Sequence, residues 1–450
     1  MRRGAVWAPR VSACRNTATA TTRRFNPGDR LRAGVPSLSS IAGADAGIVR
    51  ERPFQLLLLI NVLPPLGTAL LSPVLGSLVE PLGASTANIG LMMSAFTAPS
   101  IVVIPIAGVI SDRYGRRPVL IFGLLWFGLT GTAIAFVSTF GAALALRALQ
   151  GIGFAALTPI IITSLGDLYA GTKEATAQGL RFTGSGLSQT AFPLAAGVLV
   201  GMAWQYPFLL YAVAFPVAAV VYVYFEEPLD EADDEGSSAG IRTQLGDMRA
   251  LVAHRRAWTM VVARGTANVA WFGFLTYNSI LVVDVLGDTP TEAGVLAALA
   301  SLTYALAATQ AGRVAAVFDD RLYPLVATNV SMGAGLALAF LAQSLAVAAV
   351  GVAFMGIGFG LVLSIYRSVI TTLPPADLRG GLVSLGEGSG RAAATATPVV
   401  MGVAVAVATR PLGFETAVRA VGVGTGIVGA SVGIVCLLLM SASPPIRMDG

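Results

Sequence analysis

Twelve apolar stretches, each near or above 20 residues, follow one another along this 450-residue chain and dictate what it can fold into. They run over 54–79, 88–110, 118–138, 141–165, 180–201, 204–225, 258–285, 292–315, 322–342, 345–371, 381–408 and 416–440. A run of about 20 apolar residues is the length that crosses a bilayer as a helix. Lipid offers no partner to a backbone N–H or C=O, so each run is expected to be helical. Composition agrees: 55% of residues are hydrophobic and 12% charged, where a soluble domain carries roughly 25% charged residues. The expected fold class is an all-α polytopic membrane protein, multi-pass in the plasma membrane.

The basic residues report topology rather than a nucleic-acid surface. Of 28 arginines, ten lie before residue 53, and Lys173 is the sole lysine. Links leaving odd-numbered spans carry no Lys or Arg except Arg410, whereas links leaving even-numbered spans hold Arg113, Arg116, Arg117, Lys173, Arg321 and Arg379. Positive loops stay cytoplasmic, which predicts cytoplasmic termini. Residues 1–52 form a basic tail of transit-peptide or disordered composition, with no acid before Asp29. Residues 226–256 are acidic first and basic last, too polar to span, and read as a cytoplasmic linker with an amphipathic second part. Residues 441–450 form a short tail. Cys14 and Cys436 are too far apart to argue a disulfide framework, and one histidine, His254, makes no ligand set, so no metal or cofactor is expected. No phosphate-binding Gly-Lys-Ser/Thr loop and no nucleophile–histidine pair is present, so neither an ATP engine nor an enzyme is expected.

The two groups of six spans, 53–225 and 257–440, repeat. "GIGF" occurs at 151–154 and 356–359, and Pro193 and Gly197 are matched by Pro398 and Gly402, all at an offset of 205; Gly108 is matched by Gly312 at 204. A near-constant offset marks a parallel repeat of two six-helix bundles.

Between spans two and three lies "GVISDRYGRRPVL". Topology explains its arginines but neither Asp112 nor the glycine spacing. The series Gly108, Asp112, Arg113, Gly115, Arg116, Arg117 resembles, at every position, the signature loop of the major facilitator superfamily, in its drug/proton antiporter-like branch, and the likeness covers residues 53–440. The resemblance implies a latch: Asp112 meets the N-terminus of span eleven when the carrier faces outward, and a carboxylate there is favourable. Gly108 is expected to let two helices approach, Gly115 to permit a tight turn, and Asp167 to pair with Arg113. In the second half Ala316 stands where Asp112 does in the first, so one latch is expected. Arg147 and Gly151 match the family's Arg-x-x-x-Gly pattern in span four. The exporters' Gly-Pro-x-x-Gly-Gly pattern in span five is incomplete: Pro193 and Gly197 stand, while Phe192 and Ala196 replace glycines.

Polar groups inside spans are the candidates for a substrate or proton pathway, since a charge in the membrane costs energy and lines cavities or pairs with neighbours. Arg147, Gln150, Phe154 and Thr158 share one face of span four; Arg181, Ser185 and Gln189 one face of span five; Asn268, Trp271 and Asn278 one face of span seven. Asn61 precedes Pro64-Pro65, an expected kink. Glu387, unlike Glu80, Asp112, Asp167 and Asp284, lies well inside a span, with Arg391 one turn on. The expectation is a monomeric secondary transporter, with protons as the coupling ion through Glu387, exporting a small amphipathic compound. The alternatives are uptake of a sugar, organic acid or anion, with Arg147 and Arg391 as anion contacts, or a non-transporting membrane sensor or partner protein.

Overall fold

The computed structural model describes residues 46–227, 254–318, 320–372 and 379–443. Residues 1–45, most of the 226–256 segment and 444–450 lie outside the described residues, so the expectations placed there have no structural counterpart. All regular structure among the described residues is helical. We number the membrane helices by span: α1 Arg52–Asn61, α2 Leu91–Tyr114, α3 Arg116–Phe136 and α4 Phe140–Leu168, α5 Gly171–Met202, α6 Tyr206–Tyr224, α7 Arg255–Val285, α8 Pro290–Val317 and α9 Leu322–Leu341, α10 Leu345–Thr372, α11 Arg379–Leu412 and α12 Phe414–Ser441.

Ten of these are long and apolar enough to cross a membrane. The other two depart from the pattern for identifiable reasons. The helix α5 starts at Gly171, nine residues before the apolar run, because the polar first turns of the same helix extend beyond it. The first span is broken. Helix α1 stops at Asn61, and the chain continues through a short helix, Leu66–Ala69, turns and a 3₁₀ turn, Gly76–Leu78. Pro64-Pro65 cannot donate to a helical ladder, which ends the helix at that point. The broken segment is nonetheless deep in the protein: Leu66, Leu70, Leu71, Val74 and Leu75 are buried. Non-helical backbone at this depth is tolerated only where protein covers it.

Helices α2, α3, α4 and α6 pack together with the first span, and α7, α9, α10, α11 and α12 pack together in the second half. The halves meet along two crossings, α5 against α8 and α2 against α11. The repeat is visible in these contacts. A Cβ at Gly153 would lie 3.0 Å from the Gly123 carbonyl oxygen, and one at Gly358 2.7 Å from that of Thr328, the positions 205 residues on.

Close contacts between the halves gather at the end remote from the Gly108–Arg117 loop. A Cβ at Gly197 would lie 2.7 Å from the Pro290 carbonyl oxygen, and one at Gly402 only 2.1 Å from that of Ala87. Ser279 Oγ donates to the Pro73 carbonyl at 3.0 Å and accepts from Gly76 N–H at 3.2 Å. Toward the loop end Gly108, Gly179, Gly312 and Gly388 all face open space, while the Arg367 guanidinium of the second half lies 5.7 Å over the Phe182 ring of the first. The expectation that Gly108 brings two helices together is therefore not met in this conformation.

Candidate functional site

A cavity of about 190 Å³ lies between the halves. Thr68, Phe96, Thr97, Ser100 and Phe154 line it from the first half, and Arg264, Asn268, Phe272, Glu387, Gly390, Arg391 and Ala394 from the second. The α2–α11 crossing sets its wall: Ser94 Oγ donates to the Thr395 carbonyl at 2.7 Å, and the Thr97 and Thr395 hydroxyls lie 2.9 Å apart. One turn further toward the loop end, Arg391 Nη1 donates to Ser100 Oγ at 3.3 Å.

Three ionisable groups face this space. Glu387 is about half exposed and accepts from Arg264 Nη2 at 3.1 Å. The spacing of α11 suggested Arg391 as its partner, but the ion pair comes from α7, because a helix carries Glu387 and Arg391 on one face without aiming one at the other. Sequence reasoning passed over Arg264. Its signal was an arginine inside an apolar run, in "ARGTAN" at 263–268. The Nη1 of Arg264 is buried and has no hydrogen-bond partner among the described residues.

Several expected pathway residues lie elsewhere. Arg147 is fully buried and away from the cavity lining. Its Nη2 donates to the Gly67 carbonyl at 2.6 Å, Nε to that of Met92 at 3.2 Å, and Nη1 to Gln150 Oε1 at 2.6 Å and the Tyr211 hydroxyl at 3.3 Å. It also sits 4.3 Å over the Phe96 ring. Tyr211 in turn donates to the Leu66 carbonyl at 3.2 Å. The carbonyls freed where the first span breaks are thus satisfied by Arg147 and Tyr211, and an anion contact at Arg147 is excluded by this arrangement. Gln150 is buried with it and donates to the Phe127 carbonyl at 3.4 Å. Only Phe154 of that face of α4 reaches the cavity, stacked at a tilt on Phe96 at 4.9 Å.

On α7, Asn268 lines the cavity, but Trp271 and Asn278 do not. Trp271 stacks on Phe359 at 4.5 Å and approaches Tyr304 at 5.6 Å, within the second half. Asn278 donates to the Ala293 carbonyl at 2.9 Å and to Ser72 at 3.4 Å, at the closed end. Ten residues separate Asn268 from Asn278, about 15 Å of rise, which carries one face from the cavity to the seal. Asn61 donates to the Arg181 carbonyl at 2.9 Å and to Ser185 Oγ at 2.8 Å, tying the first span to α5. Arg181 is buried, with Nε donating to Gln178 at 3.0 Å and its guanidinium 4.3 Å over Phe182. Gln189 is half-buried one turn beyond Ser185 and does not line the cavity.

The loop itself is ordered by one residue. Gly115 has φ of 95°, a conformation that side chains disfavour, and it reverses the chain between α2 and α3. This puts Arg116 on the inner face of α3, where it is buried. Its Nη1 bonds Ser111 Oγ at 2.6 Å and also Asp112, and its Nε donates to Asp167 Oδ2 at 3.1 Å. Asp167 therefore pairs with Arg116 and not with Arg113, which lies on the other side of the turn beside the Tyr114 ring. Asp112 remains two-thirds exposed, with its carboxylate paired to Arg116 inside the first half. Glu227, just beyond α6, was not foreseen: its carboxylate accepts from the backbone N–H of Arg116 at 2.8 Å and of Arg117 at 2.9 Å. A carboxylate at a helix N-terminus meets the unpaired donors there. Arg117 also donates to the Tyr222 carbonyl, so α3 and the end of α6 are joined twice. Beside the same end, Glu51 accepts from Lys173 Nζ at 2.8 Å and from the Tyr169 hydroxyl at 2.9 Å. Lys173 holds the Glu51 carboxyl below its usual range, while burial and the bond to Glu51 push the Tyr169 hydroxyl up.

Comparison with known proteins places this architecture. The chain is 35% identical over 150 residues to a bacillibactin exporter of Bacillus subtilis (strain 168), covering 32% of this chain and 37% of that one. It is 24% identical over 229 residues to the multidrug transporter MdfA of Yersinia pestis bv. Antiqua (strain Angola), covering 50% of this chain and 55% of that one. The match thus spans about half or less of these relatives. Among solved structures, a bacterial homologue of the human lysosomal transporter Spinster, in an inward-facing and occupied conformation, superposes with a TM-score of 0.74 at 17% identity, covering 87% of this chain and 96% of that one. A D-xylose–proton symporter gives 0.68 at 15%, covering 87% and 97%. Both likenesses concern the fold. Residues 57–289, more than half of the chain, match the family model of the Major Facilitator Superfamily. With its repeated helices, its central cavity and its glycine-hinged basic loop, the chain belongs to the Major Facilitator Superfamily.

Proposed function

We propose that this chain is a secondary transporter of the plasma membrane, working by alternating access, that exports a small amphipathic compound in exchange for protons. The observation that carries the reading is the cavity between the halves, with tight backbone approaches at one end and glycines facing open space at the other. The arginine distribution assigns the open end, both termini and the 226–256 linker to the cytoplasm. The described conformation then faces inward, as a carrier does when it loads a compound from the cytoplasm. The bundles are residues 53–225 and 257–440. The exporter name of the Bacillus subtilis relative supports the direction.

Glu387 is the coupling group in this reading, with Asn268, Arg264 and Arg391 beside it on the pathway. In the inward-facing state its carboxylate is held by Arg264. Both partners belong to the second bundle, so the coupling step is a shift of α11 against α7 within it as the bundles rock: separating the pair would strand a charge in a low dielectric, and a proton from outside would neutralise it. Return to the inward state restores the pair and releases the proton. The loop Gly108–Arg117, with Asp167, is the latch for the opposite state: Asp112 is two-thirds exposed and paired to Arg116 here, and turns to the start of α11 when the cytoplasmic end closes.

Proteoliposomes with an imposed pH gradient test this. Wild-type protein is expected to drive accumulation of an exported compound against its gradient, and Glu387→Gln to abolish accumulation while leaving downhill exchange. Gradient-driven accumulation that survives the substitution would remove Glu387 from the coupling role. Accumulation in the direction of proton flow would establish uptake instead, and no flux of any compound would favour a sensor or partner protein.

A further inference from the structure

The cavity has an imbalance of charge and an unfilled donor. Arg264 and Arg391 both line it, against one carboxylate, Glu387. Arg264 is only 8% exposed. Its Nη2 is engaged by Glu387, but Nη1 has no acceptor, although a buried charged donor is costly to leave unpaired. Arg391 reaches only a neutral hydroxyl, that of Ser100. Gly390 lies between them. A Cβ there would stand 3.2 Å from Arg264 Nη1 and 2.4 Å from Asn268 Nδ2, so the notch left by the missing side chain is what lets these two donors pack against α11. Beyond the notch the wall is aromatic, with Phe96 and Phe154 on one side and Phe272 on the other.

We propose that the cavity takes an organic anion, its carboxylate held between Arg264 and Arg391 and its aromatic body against Phe96, Phe154 and Phe272. A guanidinium offers planar paired donors to a carboxylate, and its charge completes a pair that Glu387 alone does not supply. A ligand cation has no such place: the carboxylate is already paired and two guanidiniums repel the incoming charge. The inference rests on the export reading for its cavity and names the class of compound that cavity accepts.

Binding to the full chain in lipid nanodiscs, measured by calorimetry, tests it with three probes of one shape: 2-naphthoate, 2-naphthalenemethanol and 2-naphthylmethylammonium. Naphthoate is expected to bind at least tenfold more tightly than either of the others. Arg391→Gln and Gly390→Ala, the second leaving charge unchanged and displacing Arg264 and Asn268 from their packing on α11, are each expected to weaken naphthoate tenfold or more and the alcohol less than threefold. Arg264→Gln is expected to do the same if it folds, and the other two variants decide the matter if it does not. Ammonium binding as tight as naphthoate, no naphthoate binding, or wild-type naphthoate affinity in both Arg391→Gln and Gly390→Ala would overturn the proposal. The assay needs no flux, so it separates the two readings. Naphthoate that binds without being moved in proteoliposomes sinks export and keeps the anion site, whereas export confined to cations does the reverse.

Discussion

Arg147 and Arg264 are both buried arginines in apolar helices, and they serve opposite ends. Arg147 spends four of its five N–H donors on two carbonyls, Gln150 and Tyr211, and is fully buried, which leaves no surface for a ligand. Arg264 keeps a donor in hand at the cavity. Each was visible in the sequence as a charge in the wrong solvent, but its task was not, because the partners come from other helices. We predict that Arg147→Gln lowers thermal stability on the order of 3 kcal/mol, the loss of about two hydrogen bonds to a charged group, with little change in which compounds bind. Arg147→Lys is expected to rescue poorly, since an ammonium cannot span carbonyls in four directions. Thermal unfolding of the purified protein, compared with probe binding, checks both. A change of selectivity without loss of stability would return Arg147 to the pathway.

At the scale of elements, the incomplete motif of α5 has a clear structural use. Pro193 and Gly197 press against α8, where a Cβ at Gly294 would lie 2.4 Å from the Pro193 carbonyl oxygen, and Pro398 and Gly402 press against the start of α2 in the same way. The substituted positions, Phe192 and Ala196, leave this crossing intact. Periodicity made the helices legible, and the 205-residue offset made the repeat legible. What the crossings touch was not, since no local pattern says which helix a glycine faces. Gly402→Ala would force a methyl group within 2.1 Å of the Ala87 carbonyl oxygen. We predict that it opens this end and shifts the population toward the other state. A cysteine placed at Gly312, which faces open space here, is expected to react more slowly with maleimide in the Gly402→Ala background. Unchanged labelling would show that the crossing yields without moving the bundles.

At the scale of the whole molecule, alternating access requires that the contacts sealing one end be absent when the other closes. The far end is closed here by backbone approaches and by Ser279 and Asn278. The loop end holds its charges within the first half, with Arg116 gathering Asp112 and Asp167, and Glu227 capping α3. Asp112→Asn is therefore predicted to leave this conformation and its expression intact while slowing turnover. A carboxylate at a helix N-terminus is worth about 1 kcal/mol, which corresponds to roughly a fivefold fall in rate if the closed cytoplasmic end lies on the limiting step. Flux measured under saturating substrate checks it, and a wild-type rate would dissolve the latch.

The sequence by itself determined the membrane, the helices, the repeat and the family, because each is written in local or periodic terms: apolar length against bilayer thickness, arginine against the cytoplasmic face, a fixed offset, a ten-residue loop. The tertiary structure alone decided which charges meet. It joined Glu387 to Arg264 across two helices 123 residues apart, turned Asp167 toward Arg116, and buried Arg147 under the broken first span. In a medium without water, a buried charge goes to whatever partner the packing brings within reach, and packing between helices distant in the chain leaves no periodic trace in the sequence.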